Sequence, residues 1–168
     1  MLDLREGQRS LDAINRLEPE YPYAASMLAY LLLELYLKLR LLQDRKTLTA
    51  GEVDFDTKIG GMKLGDAKGF DDTSFIETVL RQLTLGRLEK VFRIPKERYS
   101  QDRNNVFHSN LYLASQLGRD YEFRVSQNRA YLETAKKHLV EASELYFPQW
   151  RIVELKGQLQ FRGSTSLR

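Results

Sequence analysis

Apolar residues recur at helical spacing over most of the chain, and proline or glycine marks several of the breaks between these runs. The pattern predicts five helices, at about residues 3–17, 23–44, 74–94, 100–117 and 125–147. Ser74 and Glu77 form the capping-box pattern that would start the third of them. The sequence therefore predicts an all-α fold, a bundle of four or five helices.

The second predicted helix is apolar nearly all round, as expected for the central helix of a bundle. Its few polar residues, including Glu34 and Lys38, recur every four residues and so share one face. The order of Glu34 and Lys38 favours an ion pair across one turn. Two interpretations stay open, a local salt bridge or a carboxylate directed at a catalytic arginine. Because Glu34, Lys38 and Arg40 interrupt residues 21–42, we expect a buried helix there and no membrane span.

Helical periodicity is lost in two places. Glycines collect between residues 46 and 72, which predicts a Gly-rich loop between the second and third helices, with a short hairpin about Gly60-Gly61. This loop lacks the Gly-Lys-Ser/Thr of a phosphate loop, so we assign it no nucleotide role. Near the end of the chain, two short apolar segments flank Lys156-Gly157, the pattern of a β-hairpin with a two-residue turn. A terminal arm that orders on a partner is the alternative. We therefore expect one helical domain over residues 1–148 and a tail or hairpin over 149–168.

Composition narrows the kinds of site that the chain can carry. The absence of cysteine excludes disulfides, a thiolate nucleophile and cysteine-rich zinc sites. Two histidines thirty residues apart offer little to a transition metal, so we expect neither a metal nor a cofactor. The first residues lack the apolar stretch of a secretory signal, which favours a cytoplasmic protein. The net charge is only +3, but the segment from Arg81 to Arg103 contains seven basic residues and three acidic ones.

This basic run leads into the segment Arg103-Asn104-Asn105-Val106-Phe107-His108, which places a cation, an amide and an imidazole within two helical turns. Asn104 and His108 are four residues apart and share a helix face, with Arg103 beside them. This spacing allows an amide to orient an imidazole next to a guanidinium, a combination suited to phosphodiester chemistry. The second histidine, His138, follows two lysines and shows no partner pattern, so we expect an ordinary histidine on the surface or flank of its helix.

RNNVFH at 103–108, together with the helix AASMLAYLLLELYLKLRLL at 24–42 and its Glu34-Leu-Tyr-Leu-Lys38 core, resembles the HEPN superfamily, named for its occurrence in higher eukaryotes and prokaryotes and for nucleotide binding. The resemblance covers about residues 21–147. It implies a four- or five-helix bundle that dimerises, commonly a metal-independent endoribonuclease of toxin–antitoxin, abortive-infection or CRISPR-associated defence systems. The partners it implies are an RNA substrate, a second copy of the chain, and an antitoxin of the nucleotidyltransferase type or a defence-complex subunit.

RNA cleavage through its own 2′-hydroxyl needs a base, an acid and positive charge near the phosphorane. We assign proton transfer to His108 and binding of the scissile phosphate to Arg103. Asn104 would orient His108 or contact phosphate. Asn105, Glu34 and Lys38 are candidate supporting or substrate-binding residues. Since one histidine cannot easily be both acid and base, a two-fold dimer that joins two motifs is expected. The alternatives are a non-catalytic helical dimer that binds nucleotide or nucleic acid or scaffolds a defence complex, and a helical interaction protein whose motif only caps a helix.

Overall fold

A computed structural model of the chain describes residues 4–45, 47–59, 61–66, 72–94, 98–115, 121–148 and 150–163. Within these ranges the chain forms six α-helices and two small antiparallel hairpins, so the predicted helical fold with a C-terminal hairpin is confirmed. The helices are α1 Leu4–Leu17, α2 Pro22–Asp44, α3 Asp72–Gln82, α4 Leu85–Val91, α5 Arg98–Ser115 and α6 Tyr121–Tyr146. The strands are β1 Lys58–Ile59, β2 Met62–Lys63, β3 Trp150–Leu155 and β4 Gln158–Gly163.

The single helix predicted over residues 74–94 is wrong, because the chain forms two helices there. Thr84 is extended, with φ −83° and ψ 166°, and precedes α4 as its N-cap residue. In a continuous helix, Leu83 and Leu85 would point about 200° apart. Both are nevertheless buried, with 1% and 4% of their surface exposed. The break therefore lets two residues of opposite helical phase reach apolar surroundings.

The chain divides into two compact units, each with its own set of buried side chains. The first unit is residues 1–33 and 102–168, and the second unit is residues 34–101. The principal buried apolar side chains of the first unit are Leu11, Ile14, Leu33, Val106, Leu132, Leu139, Ile152 and Leu159. Those of the second unit are Leu37, Leu41, Val53, Val79, Leu83, Leu88 and Val91. The motif at 103–108 belongs to the first unit.

The C-terminal hairpin packs on helices of the first unit. Lys156 and Gly157 form its turn with φ of 54° and 80°, and Leu155 pairs with Gln158. Two positive φ values in a two-residue turn match the twist of the flanking strands. Asn15 of α1 binds both the N–H and the carbonyl of Leu159, at 2.9 and 3.0 Å. The hairpin is thus ordered against its own chain, in contrast to the alternative of an arm that orders on a partner.

The Gly-rich segment after α2 is anchored within the second unit. A short hairpin pairs Ile59 with Met62, as predicted about Gly60-Gly61, although Gly60 itself lies outside the described residues. Val53, Ile59 and Leu64 are buried. The Asp54 backbone N–H donates to the carbonyl of Val91 at 2.7 Å, so the segment is also tied to α4.

Candidate functional site

The first turn of the motif helix α5 is held by a buried carboxylate from α4. Glu89 has no exposed surface, and its Oε1 accepts a hydrogen bond from the Ser100 backbone N–H at 2.8 Å. The Ser100 hydroxyl donates to the other oxygen, Oε2. The N–H groups of a first helical turn have no partner within the helix and carry partial positive charge. Glu89 therefore supplies the acceptor that this end of α5 needs.

Glu34 and Lys38 lie at the break between α3 and α4. Lys38 Nζ lies 2.7 Å from Glu34 Oε1 and donates to the carbonyl of Leu80, in the last turn of α3, at 3.3 Å. Glu34 Oε2 accepts from the N–H of Leu85, the first residue of α4, at 3.1 Å. The cation thus meets a helix carboxyl end and the carboxylate meets a helix amino end, as the helix dipoles favour.

The ion pair expected for Glu34 and Lys38 is therefore present, and it stabilises both sides of a helix break that the sequence did not predict. A contribution of the pair to RNA binding stays a prediction.

The motif side chains are arranged around α5 by its helical phase. Val106 is buried, Arg103 is half-buried, and Asn104 and His108 are exposed. Arg103 Nη1 donates to Asn104 Oδ1 at 3.0 Å, so the structure brings the guanidinium and the amide together. Among the described residues, Asn104 makes no hydrogen bond with His108. The Asn104 amide therefore contacts the Arg103 guanidinium, and it is not hydrogen-bonded to the His108 imidazole that it was predicted to orient.

His108 contacts the ring that precedes it. The Phe107 and His108 ring centroids are 5.7 Å apart at an interplanar angle of 77°, an edge-to-face arrangement. Phe107 is itself exposed, which is unusual for a large aromatic side chain. The predicted supporting residue Asn105 is also exposed. The motif thus presents a polar and aromatic face with one imidazole per chain.

The expectation that His138 lies on the surface or flank of its helix is wrong. Only 1% of its surface is exposed, and its Nε2 lies 2.6 Å from Oδ2 of Asp102, the residue before Arg103. A pattern in the sequence does indicate this burial, because His138 follows Ala135 by three residues and precedes Ala142 by four, and both are buried. The partner Asp102 could not be identified in this way, since it lies 36 residues earlier in the chain.

Tyr30 of α2 lies against His138, with ring centroids 6.2 Å apart. Burial, and in second place the negative charge of Asp102, raises the pKa of the Tyr30 hydroxyl well above its ordinary value. A raised pKa means that this hydroxyl stays protonated throughout the physiological range. Tyr30 is thus a neutral neighbour of the histidine.

No protein-family model, curated protein or solved structure matches this chain. None of the described helices is both long and apolar enough to cross a membrane. Across the described ranges, no three or more His, Cys, Asp or Glu side chains are grouped so as to hold a metal ion. The functional interpretation therefore depends on the chemistry and placement of the motif side chains themselves.

Proposed function

We propose that the protein is a metal-independent endoribonuclease of the HEPN type, which works in the cytoplasm as a toxin or antiphage defence effector. It cleaves RNA by attack of the 2′-hydroxyl and leaves 2′,3′-cyclic phosphate and 5′-hydroxyl ends. The observation that carries the proposal is the placement of the motif on a helix that buries Tyr99 and Val106. Arg103 and Asn104 are in contact there, and His108 is exposed one turn away from Asn104.

In this mechanism His108 transfers the proton, since an imidazole titrates near neutrality and serves as acid or base. Arg103 holds the scissile phosphate and neutralises the charge that develops on it. Asn104 holds Arg103 through the 3.0 Å hydrogen bond. A guanidinium that is already oriented before RNA binds loses less conformational freedom in the complex.

A second copy of the chain supplies the second imidazole. Attack by the 2′-hydroxyl requires a base, and departure of the 5′-oxygen requires an acid on the opposite side of the phosphorus. One exposed His108 cannot occupy both positions during a single step. A two-fold homodimer that brings two motifs to one cleft provides both groups.

The test is cleavage of single-stranded RNA by purified protein in EDTA, with analysis of the product ends. Wild type is expected to give 2′,3′-cyclic phosphate ends, and His108→Ala is expected to abolish cleavage without changing the fold. Gln101→Ala is the matched control, because Gln101 is exposed on the same helix outside the motif. Equal degradation by wild type and His108→Ala would refute the proposal.

A non-catalytic dimer that binds nucleic acid, or scaffolds a defence complex, is the second candidate. It is favoured by the basic side chains of the second unit that are exposed in the structure: Arg81, Arg87, Lys90, Arg93 and Arg98. Binding to such a surface weakens steeply with salt, because phosphate contacts release counterions. Salt-dependent RNA binding without any cleavage would select this candidate.

A further inference from the structure

A polar cluster centred on the buried His138 lies beside the motif helix, and the side chains of its two carboxylates are 34% and 36% exposed. His138 of α6 is its centre, with Asp102 of α5 at 2.6 Å from Nε2 and Glu141 Oε2 at 3.8 Å from Nδ1. The Tyr30 ring lies against the imidazole. All four residues belong to the first unit, as does the motif. The proposed reaction uses none of them.

Helical phase links this cluster to the motif. Asp102 and Val106 are four residues apart and share the inward side of α5, while Arg103, Asn104 and His108 follow on the remaining arc. A helix turns by about 100° per residue, so a contact that fixes the direction of Asp102 fixes the directions of its neighbours too. The buried Val106 side chain makes apolar contacts, which have no preferred direction, whereas the 2.6 Å hydrogen bond between His138 and Asp102 is directional.

We propose that His138 and Asp102 are positioning residues that set the rotation of α5 and thereby aim Arg103 and His108 at the scissile phosphate. The inference rests on the proposed ribonuclease function. His138 is too deeply buried to reach RNA, so it acts through Asp102. The contact joins Nε2 of His138 to Oδ2 of Asp102, and Nδ1 lies 3.8 Å from Glu141 Oε2.

The inference predicts a loss of turnover with little change in RNA binding. A displacement of about 1 Å at a reacting group can lower a rate by about 100-fold. His138→Leu places an apolar side chain in the buried site and removes the hydrogen bond, and we expect kcat to fall by about 10- to 100-fold. KM should change much less, because the exposed motif side chains still meet the phosphate backbone.

Two conservative variants separate positioning from general stability. His138→Gln keeps an N–H near the position of Nε2, so it should retain kcat within about tenfold of wild type. Asp102→Asn keeps an acceptor but loses the charge, and its kcat should lie between those of His138→Leu and wild type. Ser143→Ala is the matched control, because Ser143 is also buried on α6 but binds the hairpin through Ile152 N–H at 2.9 Å. Its kcat per folded molecule should equal that of wild type.

Amide hydrogen exchange at residues 103–108 gives a readout that does not require catalysis. Exchange there should be faster in His138→Leu than in wild type, and unchanged in Ser143→Ala. If wild type cleaves no RNA, the proposed function fails and exchange alone decides the positioning role. If His138→Leu does not fold, Asp102→Asn and His138→Gln decide it through the same two measurements. The inference is overturned if the folded variants keep wild-type kcat and exchange, or if Ser143→Ala loses as much turnover as they do.

Discussion

Replacing Glu89 tests whether a buried carboxylate holds the start of the motif helix. The Glu89 side chain has no exposed surface and accepts hydrogen bonds from both the N–H and the hydroxyl of Ser100. Glu89→Ala leaves both donors without this acceptor and opens a void where the side chain was. Glu89→Gln keeps the shape and an acceptor oxygen but removes the negative charge.

The size of the effect follows from these contacts. Loss of a helix N-cap costs about 0.5–2 kcal/mol, and loss of a hydrogen bond to a charged group about 1.5–3 kcal/mol. We therefore expect Glu89→Ala to lower the free energy of unfolding by about 2–4 kcal/mol. For a chain of this length, that corresponds to a fall in Tm of about 4–16 °C. Glu89→Gln should cost about 1 kcal/mol, the value of a charge at a helix end.

Urea unfolding and calorimetry measure these changes, and hydrogen exchange at residues 98–101 locates them. Glu144→Ala is the control, since Glu144 is an exposed carboxylate on α6. It should cost no more than about 0.5 kcal/mol. If Glu89→Ala costs no more than Glu144→Ala, the cap does not stabilise α5. A Glu89→Gln variant more stable than wild type would mean that desolvation of the charge outweighs its attraction to the helix end.

Two further predictions concern the second unit. Lys38→Met should lower the free energy of unfolding by about 1–2 kcal/mol, because the end of α3 and Glu34 both lose a cation. Additive effects of Lys38→Met and Glu34→Gln in a double-mutant cycle would contradict the shared role of the two residues. Hydrogen bonds from the Thr57 hydroxyl and the Asp56 N–H lower the pKa of Asp54 in the folded protein. Its contribution to stability is therefore fully present above the pKa of the unfolded chain, about 4, and is lost as the pH falls through the lower pKa of the folded protein. An NMR pH titration should show the pKa of Asp54 rising towards its ordinary value in Thr57→Val, and no change would show that this hydroxyl is not responsible.

Local patterns were enough to predict most of the helices and the C-terminal hairpin. The long apolar run of α2 and the turn at Lys156-Gly157 report on neighbours within a few residues, which is the range that periodicity and turn chemistry cover. The motif is also a local pattern, since Arg103, Asn104 and His108 fall within two turns of one helix. Their placement on α5 could therefore be predicted from their spacing alone.

The features that the sequence did not predict depend on contacts between distant residues. The helix break at Thr84 is stabilised by Glu34, which lies 51 residues before the N–H that it accepts from. The capping-box pattern at Ser74 suggested a later helix start, but α3 begins two residues earlier, at Asp72. His138 likewise depends on Asp102 of another helix. No local pattern encodes such pairings, although the apolar phase of α6 does indicate which side of the helix is buried.

The contact between Asn15 and Leu159 has a consequence for how the protein is made. These two residues are 144 positions apart, and they join α1 to the last strand of the unit that also carries the motif. At about 5–20 residues per second, a ribosome needs roughly 7–30 s to travel from one to the other. RNNVFH is therefore synthesised before the strand that completes its own unit. The nascent chain thus carries every proposed catalytic side chain before the contact between Asn15 and Leu159 can form.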